Sequence, residues 1–379
     1  MHPALARNTL ESDQLFMRRA IELAALARGY VTPNPMVGAV IVKDGVVVGE
    51  GWHHQYGKAH AEIEALRVAG KKAQGATIYV TLEPCCHQGK TPPCTKALVK
   101  AGIRRVVAAM TDPNPRVGGG GFEALRSAGL EVEIGLLEKE SRALNQAFIK
   151  HVGTGLPLVE VKAALSLDGC LASGSGDARW ISNEAARLES HDLRRKRAAV
   201  LVGVHTANLD NPTLDVRDGA PAPQPWRVVL DPHLRLQGDL SLVKKAGVDG
   251  KTIVVCRRDA DAEQEKRLSS KGVKVVRFQT ADYLLADVLQ ALGKPNFDGR
   301  AIDSVLVEGG SIVLSRFFSE GQVDCGTLYI APIIVGDSAA PRLVNGRSCQ
   351  SMADVLKLGE VETGSVGDNL RLRFVARRW

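Results

Sequence analysis

Four side chains have the types and the spacing to do chemistry together: His60, Glu62, Cys85 and Cys94. A catalytic zinc ion takes three protein ligands and keeps a fourth position for water. One imidazole and two thiolates make such a set, and their softness favours zinc over harder cations. His60-Ala61-Glu62 places an imidazole and a carboxylate two residues apart in the first turn of a helix. His60 then binds the metal. Glu62, left off it, can take a proton from the water that the metal activates. Cys85 stands at the end of a strand and Cys94 at the start of a helix, where the helix dipole favours the thiolate. A lone His-x-Glu is common, and a buried cysteine is usually an inert small hydrophobe. Taken together, with a strand running into Glu83-Pro84-Cys85, the four read as a metal centre for hydrolysis. Cys86 neighbours a ligand but points the other way on an extended backbone, so it is read as a bystander.

Several elements must position these groups. The strand TIYVTL delivers Cys85, and Pro92-Pro93 opens the helix of Cys94, which closes near Gly102. His60 and Glu62 head a helix that runs to Ala69 and is ended by Gly70. Ahead of them, MVGAVIV and VVVGEG flank Lys43-Asp44-Gly45 as a hairpin. Residues 13–28 read as an amphipathic helix, with Leu15, Phe16, Ala20, Leu23 and Ala27 near one face. The strand RVVAAM, a loop rich in proline and glycine, another helix and the strand LEVEIG complete this half. HVGTGLP, residues 151–157, reads as a linker.

Beyond it, the strands LVEVKAAL, AAVLVG, WRVVLD, TIVVC, VKVVRF, SVLVEGG, TLYIAPI and LRLRFVA are interspersed with helices near 184–196, 262–270, 281–292 and 311–320. Such alternation is α/β architecture. No G-x-G-x-x-G follows a first strand here, so a Rossmann domain is not indicated. Val307-Glu308-Gly309-Gly310-Ser311 is instead a strand-to-helix turn. Its glycines allow close backbone approach, and the helix N-terminus behind it can receive a phosphate.

At 379 residues the chain is long enough for two domains, each with its own core. Its seven cysteines are an odd number, and three of them crowd into residues 85–94. That suits a metal site in a reducing compartment better than a disulfide framework. No apolar run approaches the ~20 residues that span a bilayer, and the N-terminus lacks the apolar stretch of a secretory signal. A cytoplasmic protein with no membrane partner is expected. The 49 basic and 42 acidic residues leave a net charge of +7, which suits a phosphorylated small substrate or an anionic cofactor. A nucleic-acid-editing protein would place aromatic rings beside its basic patches. Aromatics are only 4% and do not cluster with Arg or Lys, so no nucleic-acid partner is expected.

The pattern H-x-E followed by P-C-x-x-C marks zinc deaminases that attack a ring carbon bearing an exocyclic amine. Here eight residues, not two, separate Cys85 from Cys94, which points away from the nucleic-acid and cytidine deaminases within that superfamily. The stretches TPNPMVGAVIVKDG, GKAHAEIEAL and YVTLEPCCHQGKTPPC resemble the bifunctional riboflavin-biosynthesis deaminase/reductase family. So do KAALSLDG, GDARWIS, HTANLDNPTLDVR and VEGGSIVLS beyond the linker, and the resemblance covers nearly the whole chain. It implies an α/β fold in two parts: a cytidine-deaminase-like α/β/α sandwich over residues 1–150 and a dihydrofolate-reductase-like α/β domain over 158–379. It also implies two consecutive reactions. The first is zinc-dependent hydrolysis of the 2-amino group of a diaminopyrimidinone that carries a 5-phosphoribosylamino substituent. The second is reduction of the ribosyl group to ribityl by NADPH.

Carried onto this sequence, the resemblance lets the deaminase substrate meet Asn34, His53, His87 and Lys90. The dinucleotide would meet Ala164, Trp180, Thr206, Asp210 and the turn formed by Gly310, Ser311, Ile312, Val313, Leu314 and Ser315. The phosphoribosyl substrate of the second step would meet Ala178, Arg194, Leu214, Arg217 and Glu308. Arg194 and Arg217 suit bidentate phosphate recognition, while Arg195, Lys196 and Arg197 read as surface. Thr32 stands where the family often has His, and Cys86 where it often has Ser. Neither removes a ligand, although vicinal thiols can oxidise. No side chain of the second half stands out as a general acid, so orientation of the hydride donor is expected to carry much of the rate. A competing reading is a deaminase whose second half only binds substrate. The expected partners are the phosphorylated pyrimidine and further copies of the chain, in a dimer or tetramer.

Overall fold

A computed structural model describes residues 3–88, 92–115, 117–217, 223–280, 282–295, 298–346 and 349–376, with backbone alone for residues 3–9. The chain divides into two compact units, Met1–Gly155 and Leu156–Trp379. The first contains α1 (Pro3–Ala25), β1 (Gly38–Lys43), β2 (Val46–Trp52), α2 (Ala61–Ala69), β3 (Thr77–Val80), α3 (Cys94–Lys100), β4 (Arg105–Ala108), α4 (Gly120–Ser127), β5 (Glu131–Ile134), α5 (Glu138–Leu144) and α6 (Gln146–Thr154).

Its strands lie in the order β2-β1-β3-β4-β5, antiparallel across the first three and parallel across the last three. Alternate strand residues feed two cores, because successive side chains point to opposite faces. Ala39, Ile41, Ile78, Val80, Val106 and Ala108 pack with Ala65 of α2, Leu98 of α3 and Phe122 of α4. Val40, Val42, Tyr79 and Val107 pack on the other face with Met17, Ala20 and Leu23 of α1. The unit is therefore an α/β/α sandwich.

The β1–β2 turn is Asp44-Gly45, with φ of 51° and 77°. Two positive φ values give the turn whose twist matches the flanking strands, as the sequence predicts. Helix α2 lies directly on β2. A Cβ at Gly51 would fall 2.4 Å from the Ala65 backbone nitrogen, so glycine alone admits the helix this close.

The second unit contains β6 (Leu158–Leu165), α7 (Glu184–Arg195), β7 (Ala199–Gly203), α8 (Val204–Asp210), β8 (Trp226–Leu230), α9 (Ser241–Asp249), β9 (Thr252–Cys256), α10 (Ala262–Ser269), β10 (Lys274–Arg277), α11 (Leu285–Gly293), β11 (Ser304–Val307), α12 (Ser311–Ser319), β12 (Cys325–Ile330), β13 (Val361–Val366) and β14 (Asn369–Val375). They form one sheet in the order β10-β9-β8-β7-β11-β6-β12-β14-β13. From β10 to β12 every neighbouring pair is parallel, and β14 and β13 close the edge as an antiparallel hairpin. Val159, Val161, Leu201, Val228 and Val305 pack under α11 and α12. Val200, Val202, Val229 and Val254 face Ala207, Val243 and Leu268 of α8, α9 and α10 on the other side.

Several sequence expectations need correction. Residues 151–154 are not linker but the last turn of α6, which Gly155 ends with φ 73°. Helix α1 begins well ahead of residue 13, and α8, α9 and β13 were not foreseen. Arg197 is not a surface residue: its guanidinium lies 2.6 Å from the buried Glu160 carboxylate. A charge on a strand covered on both faces needs such a partner, and Arg197, in the turn between α7 and β7, reaches it.

Candidate active sites

Three elements of the first unit bring the metal set together. His60 is the N-cap of α2, Cys85 follows β3, and Cys94 is the first residue of α3. Nδ1 of His60 lies 3.5 Å from the Cys85 sulfur and 3.3 Å from the Cys94 sulfur. All three ligand atoms fall within 4.8 Å of one another. A tetrahedral zinc with bonds of about 2.3 Å to sulfur and about 2.0 Å to nitrogen sets its ligand atoms roughly 3.5 Å apart. The donor set and its spacing therefore fit a shared zinc ion. The Cys94 backbone N–H donates to the Cys85 sulfur at 3.4 Å. The Cys85 thiol is pushed down to about 4, first by its hydrogen bond with Cys94 and then by that with His60.

Glu62 lies one residue into α2 and is 3% exposed. Burial pushes its carboxyl above the ordinary range, so this group can both accept and return a proton. It lines a pocket of about 350 Å³ together with Asn34, His53, His60, Cys85 and His87. Lys90 lies outside the described residues. The His53 ring meets the Ala59 carbonyl through Nδ1 at 2.9 Å and the Asn34 amide nitrogen through Nε2 at 3.1 Å. A carbonyl only accepts, so Nδ1 carries the proton; the Asn34 amide then donates to Nε2 and the ring is neutral. Burial lowers the His53 pKa, which agrees with that assignment.

Among the pocket residues missed in the sequence are Asp112 and Asn114. They sit in TDPNP, the loop after β4, and parallel pairing of β3 with β4 brings that loop beside Cys85. The buried Glu83 carboxylate accepts the N–H groups of Asp112 at 3.1 Å, Gly119 at 2.9 Å and Gly121 at 2.8 Å, fixing the loop. Burial also raises the Asp112 pKa. The available signal was polar residues in a loop at the carboxyl end of a parallel strand.

In the second unit β7, β11 and β6 are neighbouring parallel strands, so their carboxyl ends share one edge. Ala164 is the penultimate residue of β6, Thr206 follows β7 in α8, and Gly310 to Ser315 follow β11. A Cβ at Gly310 would lie 3.2 Å from the Thr206 hydroxyl, which shows how closely the two turns meet. Ile312 is 79% exposed, whereas Val313, Leu314 and Ser315 are buried, so these three face the interior. Trp180 is exposed, with the Arg187 guanidinium 4.6 Å from its ring centre. The adjoining Arg179 donates to the Asp210 carbonyl at 3.4 Å, which ties the Ala178–Trp180 loop to α8.

Arg194, expected at the substrate phosphate, already has protein partners. Its guanidinium is engaged in a fork with Glu308, at 2.6 and 2.8 Å, and also donates to the Asp215 carbonyl at 3.1 Å. Arg217 is exposed and lies 3.3 Å from the Asp215 carboxylate. Leu214 is buried with φ 51°. Lys162 was missed. It stands in LVEVKAAL on β6, where burial lowers its pKa against the opposing pull of Glu308. A lysine inside a central strand that is apolar apart from Glu160 was the signal.

Residues 10–110 match the family described as cytidine and deoxycytidylate deaminase zinc-binding region, and residues 157–372 match the RibD C-terminal domain. The riboflavin biosynthesis protein RibD of Bacillus amyloliquefaciens is 41% identical over 365 residues, 96% of each chain. Among solved structures, RibD of Acinetobacter baumannii superposes with a TM-score of 0.87 at 40% identity, covering 97% of this chain and 99% of that one. A Thermotoga maritima structure described as a diaminohydroxyphosphoribosylaminopyrimidine deaminase/5-amino-6-(5-phosphoribosylamino)uracil reductase gives 0.83 at 36% identity, with the same coverage. The first unit shares the cytidine-deaminase-like fold of these relatives, and the second their dihydrofolate-reductase-like fold.

Proposed function

This chain belongs to the bifunctional riboflavin-biosynthesis deaminase/reductase family, and we propose that it acts on one phosphorylated pyrimidine in two steps. The first is deamination of 2,5-diamino-6-(5-phosphoribosylamino)pyrimidin-4(3H)-one. The second is reduction of the ribosyl group of 5-amino-6-(5-phosphoribosylamino)uracil to ribityl. The observation that carries this reading is the convergence of His60, Cys85 and Cys94 beneath a pocket whose buried carboxyl is Glu62.

When bound, zinc makes water nucleophilic near neutral pH and NADPH supplies a hydride. His60, Cys85 and Cys94 would hold the ion. Glu62 takes the proton of the attacking water and returns it to the departing amine, so that ammonia leaves. Asn34, oriented by His53, holds the ring with Asp112 and Asn114 beside it, while His87 and Lys90 serve the rest of the substrate. In the second unit the dinucleotide rests on Ala164, Trp180, Thr206, Asp210 and the turn at Gly310 to Ser315. The sugar phosphate reaches Arg217, with Ala178 and Leu214 as its walls, and Glu308, steadied by Arg194, faces the sugar. Lys162, a buried amine beside Glu308, supplies the proton to the ring oxygen as the C1′–O4′ bond of the ribosyl group opens and that carbon takes the hydride.

The working compartment we assign is the cytoplasm, supported by seven free cysteines. No helix among the described residues is long and apolar enough to cross a membrane. We assign no nucleic-acid partner, and a dimer or tetramer as the assembly; exposed Ile334, Met352 and Val361 support the latter. The deciding experiment incubates the protein with the diaminopyrimidinone, with and without NADPH. Ammonia release without NADPH, followed by NADPH oxidation that requires prior deamination, is the expected result. NADPH oxidation without deamination, or no ammonia at all, would refute the two-step reading.

A further inference from the structure

The turn after β6 and the segment after β12 are laced together at the edge where the dinucleotide residues gather. Asp168 sits in that turn. Its carboxylate accepts the Ser166 hydroxyl at 2.6 Å and the backbone N–H groups of Val335 at 3.1 Å and Gly336 at 2.9 Å. Its own carbonyl accepts from the Arg342 guanidinium at 2.7 Å. Backbone bonds on either side run the same way, from the Leu167 N–H to the Ile333 carbonyl at 2.8 Å and from the Leu171 N–H to the Pro341 carbonyl at 2.7 Å. The Ser166 hydroxyl first, and then the two amides, hold the Asp168 carboxyl far below its ordinary range, so it stays charged at any working pH. One carboxylate thus closes residues 333–342 into a strap.

The far end of the strap lies on α12. The Arg342 carbonyl accepts the Ser311 hydroxyl at 2.6 Å. The Asn345 backbone N–H donates to the Ser315 hydroxyl at 2.7 Å, and its side-chain amide donates to the Ser311 hydroxyl at 2.9 Å. Because β12, β6 and β11 are neighbours, the strap runs from the end of β12 past the end of β6 to the helix that follows β11. Apolar packing does little to hold its first part, since Ile334 is 72% exposed. Hydrogen bonds to a charged acceptor must do so, and such bonds are stronger than neutral ones.

We propose that Asp168 is a positioning residue for the reductase step: by pinning the strap it holds Ser311 and the first turn of α12 in the geometry that receives NADPH. This rests on the assignment of residues 310–315 to the dinucleotide. Asparagine at position 168 keeps the shape but loses one accepting oxygen and the charge, so the Ser166, Val335 and Gly336 donors, with the Cys170 thiol at 3.6 Å, compete for a weaker partner.

The test uses full-length Asp168→Asn. NADPH binding is read by nucleotide fluorescence, the strap amides by hydrogen exchange, and ammonia release serves as an internal control. Faster exchange across residues 333–345 is expected, with an NADPH Kd raised about tenfold, as for one or two lost bonds to a charged acceptor. The kcat at saturating NADPH should fall far less, and ammonia release and melting temperature should hold. Asn345→Ala, which removes the side-chain bond to Ser311 and leaves the backbone bond to Ser315, should raise Kd in the same direction and by less. A variant with loosened strap amides and a parental Kd would overturn the proposal, as would unchanged exchange. Failure of the parent protein itself to bind NADPH would instead sink the reductase assignment and this inference with it.

Discussion

In the first unit, chemistry is concentrated in side chains of unusual type: an imidazole, two thiolates and a buried carboxyl meet around one point. In the second, the groups we assign to the dinucleotide are mostly small or apolar, from Ala164 and Thr206 to the turn at Gly310 to Ser315, with Asp210 the one acidic side chain. Other charged groups of this unit, Lys162, Arg194 and Glu308, come from three different elements. The contrast follows from what each reaction asks of the protein. Hydrolysis needs groups that hold a metal and move protons. Hydride transfer needs a cofactor held at the right distance and angle, which backbone and small residues can do. Each half also depends on a carboxylate that touches no ligand in our reading. Glu83 fixes the loop of Asp112 and Asn114, and Asp168 fixes the strap over α12.

If the two centres differ in this way, a single proton-carrying residue should matter most in the first. Glu62→Gln should lower ammonia release by about 10²–10⁴-fold, the usual share of a general acid–base. Zinc content and NADPH-dependent reduction of the deaminated substrate should be retained. Loss of both activities together would break the comparison. Chelation of the metal should likewise abolish ammonia release and spare reduction, and Cys94→Ser should lower the zinc measured per chain.

In the second unit Lys162→Met should reduce NADPH oxidation by about 10²-fold while leaving deamination alone. Unchanged oxidation would leave orientation as the whole of the mechanism there and make the contrast sharper still. Arg194→Ala strands the Glu308 carboxylate without its partner. It should therefore destabilise the second unit by about 3 kcal/mol, seen in denaturant melts, with partial recovery on adding Glu308→Gln. A free phosphate-binding Arg194 would instead give a change in substrate KM with no loss of stability. The smallest effect is expected for Arg217→Ala. Its exposed side chain should raise the KM for the phosphorylated substrate by about tenfold, leaving kcat near parental.

The legibility of the two halves in the sequence differs for the same reason. His60, Glu62, Cys85 and Cys94 are rare types at telling spacing, and the strands and helices around them follow simple hydrophobic periods, so that centre could be placed before any coordinates. Asp112 and Asn114 could not, because a polar residue in a Pro- and Gly-rich loop looks the same whether it lines a pocket or faces water. Lys162 was passed over inside a largely apolar strand. Arg197 was read as surface from its charged neighbours, although its partner Glu160 lies 37 positions away in the chain. Residues 151–154 resembled a linker by composition, yet α6 continues through them to Gly155.

Most of the strands and helices, the hairpin at Asp44-Gly45, the metal set and the two-part organisation were determined by the sequence, because each depends on residue type and on spacing over a few turns. Tertiary structure alone decided which distant groups became neighbours. It set β11 between β7 and β6, turned Arg194 onto Glu308, and carried the strap from β12 across to Ser311. Such choices depend on strand order and on the partners that buried charges find, and neither is written in any local stretch of the chain.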